Sequence, residues 1–204
     1  RLLWPLGFQS TGWVLWLAGA AWLEWLAWVG MLLASMGLIA MYVRFGLLVR
    51  ASPAADRLHA QVAVVGGFVG VCALVGAQAA LWHGQTDLAL LAIRSGLWGC
   101  VVVTYLVVAH RMLPFFTASA LPTIAPWRPQ WVLWFLLGIA ALEALATWAP
   151  LLLAPAAWPD ARAPRAWMLA LGLAELAAGS VVLWLALTWG LMQSLKVRLL
   201  AMLH

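Results

Sequence analysis

Charge is what this sequence most lacks. Only 8% of its residues are Asp, Glu, Lys or Arg, against 67% that are hydrophobic. A soluble domain needs roughly a quarter of its residues charged to cover its surface, so a water-soluble globule is excluded. Cysteine is scarce as well. Cys72 and Cys100 are the only two, both lie in apolar runs and they form no CxxC pair. Small packing residues explain them more simply than metal or redox chemistry does. The long apolar stretches show no period-two alternation, which argues against a membrane β-barrel. Also missing are a Walker loop, an HExxH helix, a strand-linked GxGxxG and a Ser-His-Asp set, so no enzyme of familiar type is supported.

What is present is a succession of long apolar runs. About 20 such residues cross a hydrocarbon core of ~30 Å as a helix, and helices satisfy their own backbone groups in lipid. The expected fold is therefore all-α, a polytopic transmembrane helix bundle and a single transmembrane domain over 1–204. Six spans are expected, at Leu2–Ala21, Trp25–Arg50, Leu58–Trp82, Leu88–Met112, Gln130–Leu152 and Ala166–Trp189, with a further segment starting at 195–204. Turn chemistry separates them: Ser52-Pro53, His83-Gly84-Gln85, a proline series from Pro114 through Pro122, Pro126 and Pro129, and then Pro155, Pro159 and Pro164. Proline is expected to end or kink each helix it enters. The chain begins with Arg1 and stops at His204 inside the new segment, so it is expected to be a piece of a longer protein.

The net charge of +5 follows membrane topology and not nucleic-acid binding. Arg1, Arg44, Arg50, Arg57, Arg111, Arg128, Lys196 and Arg198 fall on one side of the expected spans, and only Arg162 and Arg165 on the other. Basic residues gather on the cytoplasmic side, so both ends of the chain are expected to face the cytoplasm. Tryptophan belts fit this arrangement. Trp22, Trp25, Trp82, Trp148, Trp158 and Trp167 sit near the outer boundary, and Trp127, Trp131 and Trp189 near the inner one. In the third span Gly66 and Gly70 stand one turn apart, a signal for close approach of a neighbouring helix.

Three charges fall inside spans: Arg94, Glu143 and Glu175. Each costs about 2.5–3.5 kcal/mol at mid-membrane on insertion scales. At 1.5 Å per residue, Arg94 lies roughly 9 Å and each glutamate roughly 13 Å from the outer end of its span. The expectation is one polar cluster in the outer half of the bilayer, serving as an ion pair that fixes helix register or as part of a proton or substrate path. Of the four histidines, His59 and His110 sit at cytoplasmic span ends and His204 follows the sixth span on the same side. Neutral imidazole suits haem iron, copper and zinc, which makes these three the candidate metal ligands. Interfacial polar residues are the plainer alternative.

The most specific stretch is His110-Arg111-Met112-Leu113-Pro114-Phe115-Phe116-Thr117-Ala118-Ser119-Ala120-Leu121. A His-Arg pair is expected to end the fourth helix, with Pro114 turning the chain, Phe115 and Phe116 anchoring it, and Thr117 and Ser119 supplying hydroxyls. Arg111 in such a corner suits an anionic group, a haem propionate for example.

This segment resembles the Arg-(Ile/Val/Met)-(Ile/Leu)-Pro-(Phe/Ala)-Phe-Thr signature of the NnrS family. Arg111, Pro114, Phe115, Phe116 and Thr117 match it position by position. Pro5–Gln9, Asp56–Ala60, Asp87–Ala109 and Leu195–His204 are also similar to members. Many members carry glycines before the arginine, whereas this chain has Ala109-His110, as in a subgroup with a His-Arg pair. The resemblance implies a larger multi-pass protein of the bacterial inner membrane. It implies haem and copper as cofactors, and a link to denitrification and to protection against nitrosative stress from nitric oxide. Two alternatives remain open on the residues alone. One is a transporter or channel that uses Arg94, Glu143 and Glu175, with Tyr105 on the Arg94 face of span four. The other is a non-catalytic assembly subunit whose in-membrane charges bind a membrane protein partner within the lipid bilayer.

Overall fold

A computed structural model describes residues 3–121, 127–152 and 162–194. Among these the regular structure is entirely helical: α1 (Leu3–Trp22), α2 (Glu24–Ala51), α3 (Leu58–Trp82), α4 (Thr86–Gly96), a π-helical turn (Leu97–Val102), α5 (Val103–Ala120), α6 (Gln130–Leu152), α7 (Arg162–Thr188) and the short α8 (Leu191–Ser194). α4, the π turn and α5 form one continuous helix, Thr86–Ala120. This helix, with Glu24–Ala51, Leu58–Trp82, Gln130–Ala149 and Arg165–Thr188, is long and apolar enough to cross a membrane. α1 has the length of a span but is not one of these five. Its four tryptophans and the Gln9-Ser10-Thr11 step dilute its apolar character. The protein is a multi-pass helical membrane protein.

The main departure from expectation is in the fourth helix. The sequence predicts an end near Met112 and a turn at Pro114, yet the helix runs on to Ala120 with Pro114 inside it. Proline lacks the N–H that would bond the carbonyl four residues back, and its ring crowds that carbonyl. Here that carbonyl belongs to His110, and the turns on either side carry the helix through. The π turn is the second surprise. It widens the helix locally and inserts a residue into the turn count, so helical angles reckoned at 100° per residue do not carry across it.

The chain forms two compact units, Arg1–Thr104 and Tyr105–His204. Unit one is built on small residues. α1 and α2 are joined through Leu23 alone, whose extended backbone (φ −149°, ψ 99°) reverses the chain. They pack backbone to backbone. A methyl group on Gly12 would strike the backbone of Gly30 and Ala34, one on Gly19 that of Ala27, and one on Gly37 that of Gln9 and Pro5. Gly12 and Gly19 on one helix, and Gly30 and Gly37 on the other, share a seven-residue spacing that keeps each pair on one face. Without a hydrophobic drive between helices in lipid, such close approach is the main source of cohesion.

α3 joins this hairpin through a buried polar knot. The Gln78 side-chain amide donates to the Met31 carbonyl at 2.9 Å and to Ser35 Oγ at 2.6 Å, while Ser35 donates to the same Met31 carbonyl at 3.0 Å. Trp28 and Trp82 meet edge to face beside it, with centroids 4.9 Å apart. The expected close approach at Gly66 and Gly70 is met by the π turn: a methyl on Gly66 would lie 3.1 Å from the Gly99 carbonyl, and one on Gly70 would lie 2.6 Å from Cys100 Sγ.

Unit two has a conventional apolar centre. Val132, Leu136, Leu185 and Trp189 are buried together, with Leu106, Leu113, Phe135 and Val181 against them. The Trp189 indole N–H donates to the Trp127 carbonyl at 3.0 Å, which ties the end of α7 to the segment that leads into α6.

Candidate functional site

Because the Arg111–Thr117 motif is helical, its residues divide between two faces. His110, Pro114 and Thr117 are buried, as their spacing of four and then three residues requires of one helical face. His110 and Thr117 are each only 1% exposed. Arg111 and Phe115, one turn apart, are exposed on another face, and Phe116 is exposed beside them. The expected corner, a helix end at His110-Arg111 with a turn at Pro114, is therefore corrected to a continuous two-sided helix. Ser119, expected to offer its hydroxyl, donates it back to the Phe115 carbonyl at 2.8 Å.

On the buried face, His110 Nε2 lies 3.2 Å from the Pro129 carbonyl. A carbonyl only accepts, so this contact puts the proton on Nε2. The Trp189 indole packs edge-on against the imidazole, with centroids 6.4 Å apart. On the other face, Arg111, Met112, Phe115 and Arg128 line a cavity of about 450 Å³. Two guanidinium groups over an apolar, aromatic floor suit an amphipathic anion. Arg128 was placed by its sequence only among the topology-setting charges, and its proximity to the motif had no local signal.

The remaining candidates are distributed as follows. His59 is the second residue of α3, 8% exposed and in unit one. Asp56 Oδ1 accepts from the Leu58 N–H at 3.3 Å just before it and so holds the start of this helix. His204 lies outside the described residues. Among the described residues, no three His, Cys, Asp or Glu side chains come together as a metal-holding group. Arg94 is in unit one and exposed, near the end of α4. Glu143 and Glu175 are both in unit two, within coulombic range of one another. Cys72 is exposed on α3. Cys100 projects from the π turn to within 3.6 Å of the Tyr42 hydroxyl, and the Tyr42 ring occupies the notch left by Gly67.

The family model described as NnrS protein matches residues 9–204. The chain belongs to the NnrS family. The match takes in every described helix of the NnrS chain from the second turn of α1 onward, and the Arg111–Thr117 motif within it. No curated protein and no solved structure matches the chain.

Proposed function

We propose that this NnrS protein binds haem, copper or both in the bacterial inner membrane and serves in denitrification or in defence against nitric oxide. The observation that carries the reading is the His110 imidazole, buried and oriented by the Pro129 carbonyl. One imidazole can hold haem iron, and His110 would be the residue that holds it. Arg111 and Arg128 line a cavity on the other face of the same helix, a separate place suited to an anionic group such as a haem propionate. His59 and His204 are the further candidate ligands. Haem iron or copper, when bound, would supply a centre for a diatomic ligand such as nitric oxide. The chain's own residues would orient the ligand ring, neutralise anionic substituents and keep the metal's surroundings apolar. Haem and metal analysis of the complete protein tests this, before and after His59→Ala and His110→Ala. A purified protein with neither a Soret band nor bound copper refutes it.

A second reading, transport through the bundle, has one observation in its favour. The helix Thr86–Ala120 is interrupted by a π turn at Leu97–Val102, and broken spans are common where transporters bind their substrates. Arg94, Glu143 and Glu175 are the residues such a path would use. Substrate flux in proteoliposomes that is lost in Glu143→Gln would favour it over metal binding.

A further inference from the structure

A deep groove lies away from the motif, between α2 and α3. Its volume is about 700 Å³. Ile39, Val43 and Leu47 form one wall, and Val64, Val65 and Phe68 the other. Val43, Leu47, Val65 and Phe68 are all exposed, so the groove opens sideways to whatever surrounds the helices. Its floor is low because Gly46 carries no side chain: a methyl there would sit 3.5 Å from Val64 Cγ1. At one end the lining becomes polar, with Arg50, Arg57 and Gln61. Arg57 donates through Nη1 to the Arg50 carbonyl at 3.2 Å, which holds its guanidinium at the end of α2 beside Arg50.

The shape has a definite length. From Ile39 to Arg50 along α2 is roughly 16 Å at 1.5 Å per residue. Half of a ~30 Å hydrocarbon core is ~15 Å, the depth reached by one leaflet's acyl chain. An apolar slot of that length, open to the side and ended by two cations, is complementary to one class of molecule. We infer that the groove between α2 and α3 holds an acyl chain of an anionic phospholipid, whose phosphate is gripped by Arg50 and Arg57. Basic pockets between membrane helices hold anionic headgroups in this way. The inference does not depend on the metal-binding reading, since it uses neither His110 nor the Arg111 cavity.

The test uses the complete protein, purified in mild detergent, stripped of lipid and offered phosphatidylglycerol or phosphatidylethanolamine with matched acyl chains. Retained lipid is counted by native mass spectrometry. Phosphatidylglycerol is expected to be retained over phosphatidylethanolamine, and R50Q/R57Q to abolish the preference, with a loss of about fivefold for each arginine. R50K/R57K, which keeps both charges, is expected to retain most of it. Gly46→Phe is expected to lower retention of both lipids by filling the slot. Equal retention of the two lipids by the unmodified protein overturns the inference. So does a preference that survives R50Q/R57Q, or one lost equally in the lysine and glutamine variants. Loss of a Soret band in Arg57→Gln with lipid preference intact would assign the groove to haem and overturn it too.

Discussion

His110 Nε2 and the Pro129 carbonyl face each other at 3.2 Å, so a motif side chain on α5 fastens the segment that leads into α6. The proposed ligand role and the fastening role fall on one ring, and two substitutions separate them. His110→Leu is expected to remove one of the two hydrogen bonds of the Pro129 carbonyl, which keeps the one from the Val132 N–H at 3.1 Å, costing about 0.5–1.5 kcal/mol, and to remove bound haem. His110→Gln keeps a donor for the carbonyl and is expected to hold the melting midpoint near that of the unmodified protein while still losing haem. Thermal denaturation followed beside the Soret absorbance reads both effects.

Arg111 and Arg128 are exposed, so their substitution is expected to leave stability within about 0.5 kcal/mol. Their expected effect is on the ligand. A charge-assisted hydrogen bond contributes about 1.5–3 kcal/mol, so Arg111→Gln or Arg128→Gln is expected to weaken haem retention by about tenfold or more. Haem transfer to apomyoglobin measures it. An unchanged transfer rate in the double variant would remove the cavity from the functional site.

The α1–α2 hairpin offers an internally controlled experiment. Gly12→Ala drives a methyl into the Gly30 and Ala34 backbone, whereas Gly7→Ala in the same helix meets nothing within 4 Å. Overpacking of a tight contact costs about 1–3 kcal/mol. Gly12→Ala is therefore expected to lower the melting midpoint in detergent, and Gly7→Ala to leave it unchanged or slightly raised. Equal behaviour of the two would mean that the helices do not meet at Gly12.

Gln78 is expected to matter by a modest amount. Interhelical hydrogen bonds in membrane proteins contribute about 0.6 kcal/mol on average and up to about 1.7. Gln78→Leu and Ser35→Ala are expected to fall in that range singly, and to be non-additive when combined, because each removes part of the same knot. A double-mutant cycle on detergent unfolding midpoints decides it.

The spans were legible because each is a long apolar run closed by turn residues, and no tertiary knowledge is needed to read that. The NnrS motif was legible for the same local reason. Other features were hidden by different physics. Pro114 reads as a helix end, but proline forbids only one hydrogen bond, and whether the helix survives depends on packing that burial of Pro114 and Thr117 supplies. The π turn has no residue signature in Leu97–Val102. The Gly12–Gly19 and Gly30–Gly37 spacing was in plain view, and a search for seven-residue glycine pairs on adjacent spans would have found the hairpin contact. The Gln78–Ser35 pairing is long-range, and neither residue announces its partner. The same holds for Arg128 at the motif's cavity.

The glycine contacts of α1 bear on how the protein is made. α1 is not one of the five helices that by length and composition can cross a membrane, and Leu23 alone links it to α2. Gly12 and Gly19 find their surroundings in the backbone of the neighbouring α2 and not in acyl chains. α1 is therefore expected to enter the bilayer together with α2, as a preassembled hairpin. A segment of residues 3–22 expressed by itself should be extracted from membranes by alkaline carbonate, and one of residues 3–51 should stay. On this view α2 is the solvent into which α1 partitions, and the two helices form a single unit of insertion.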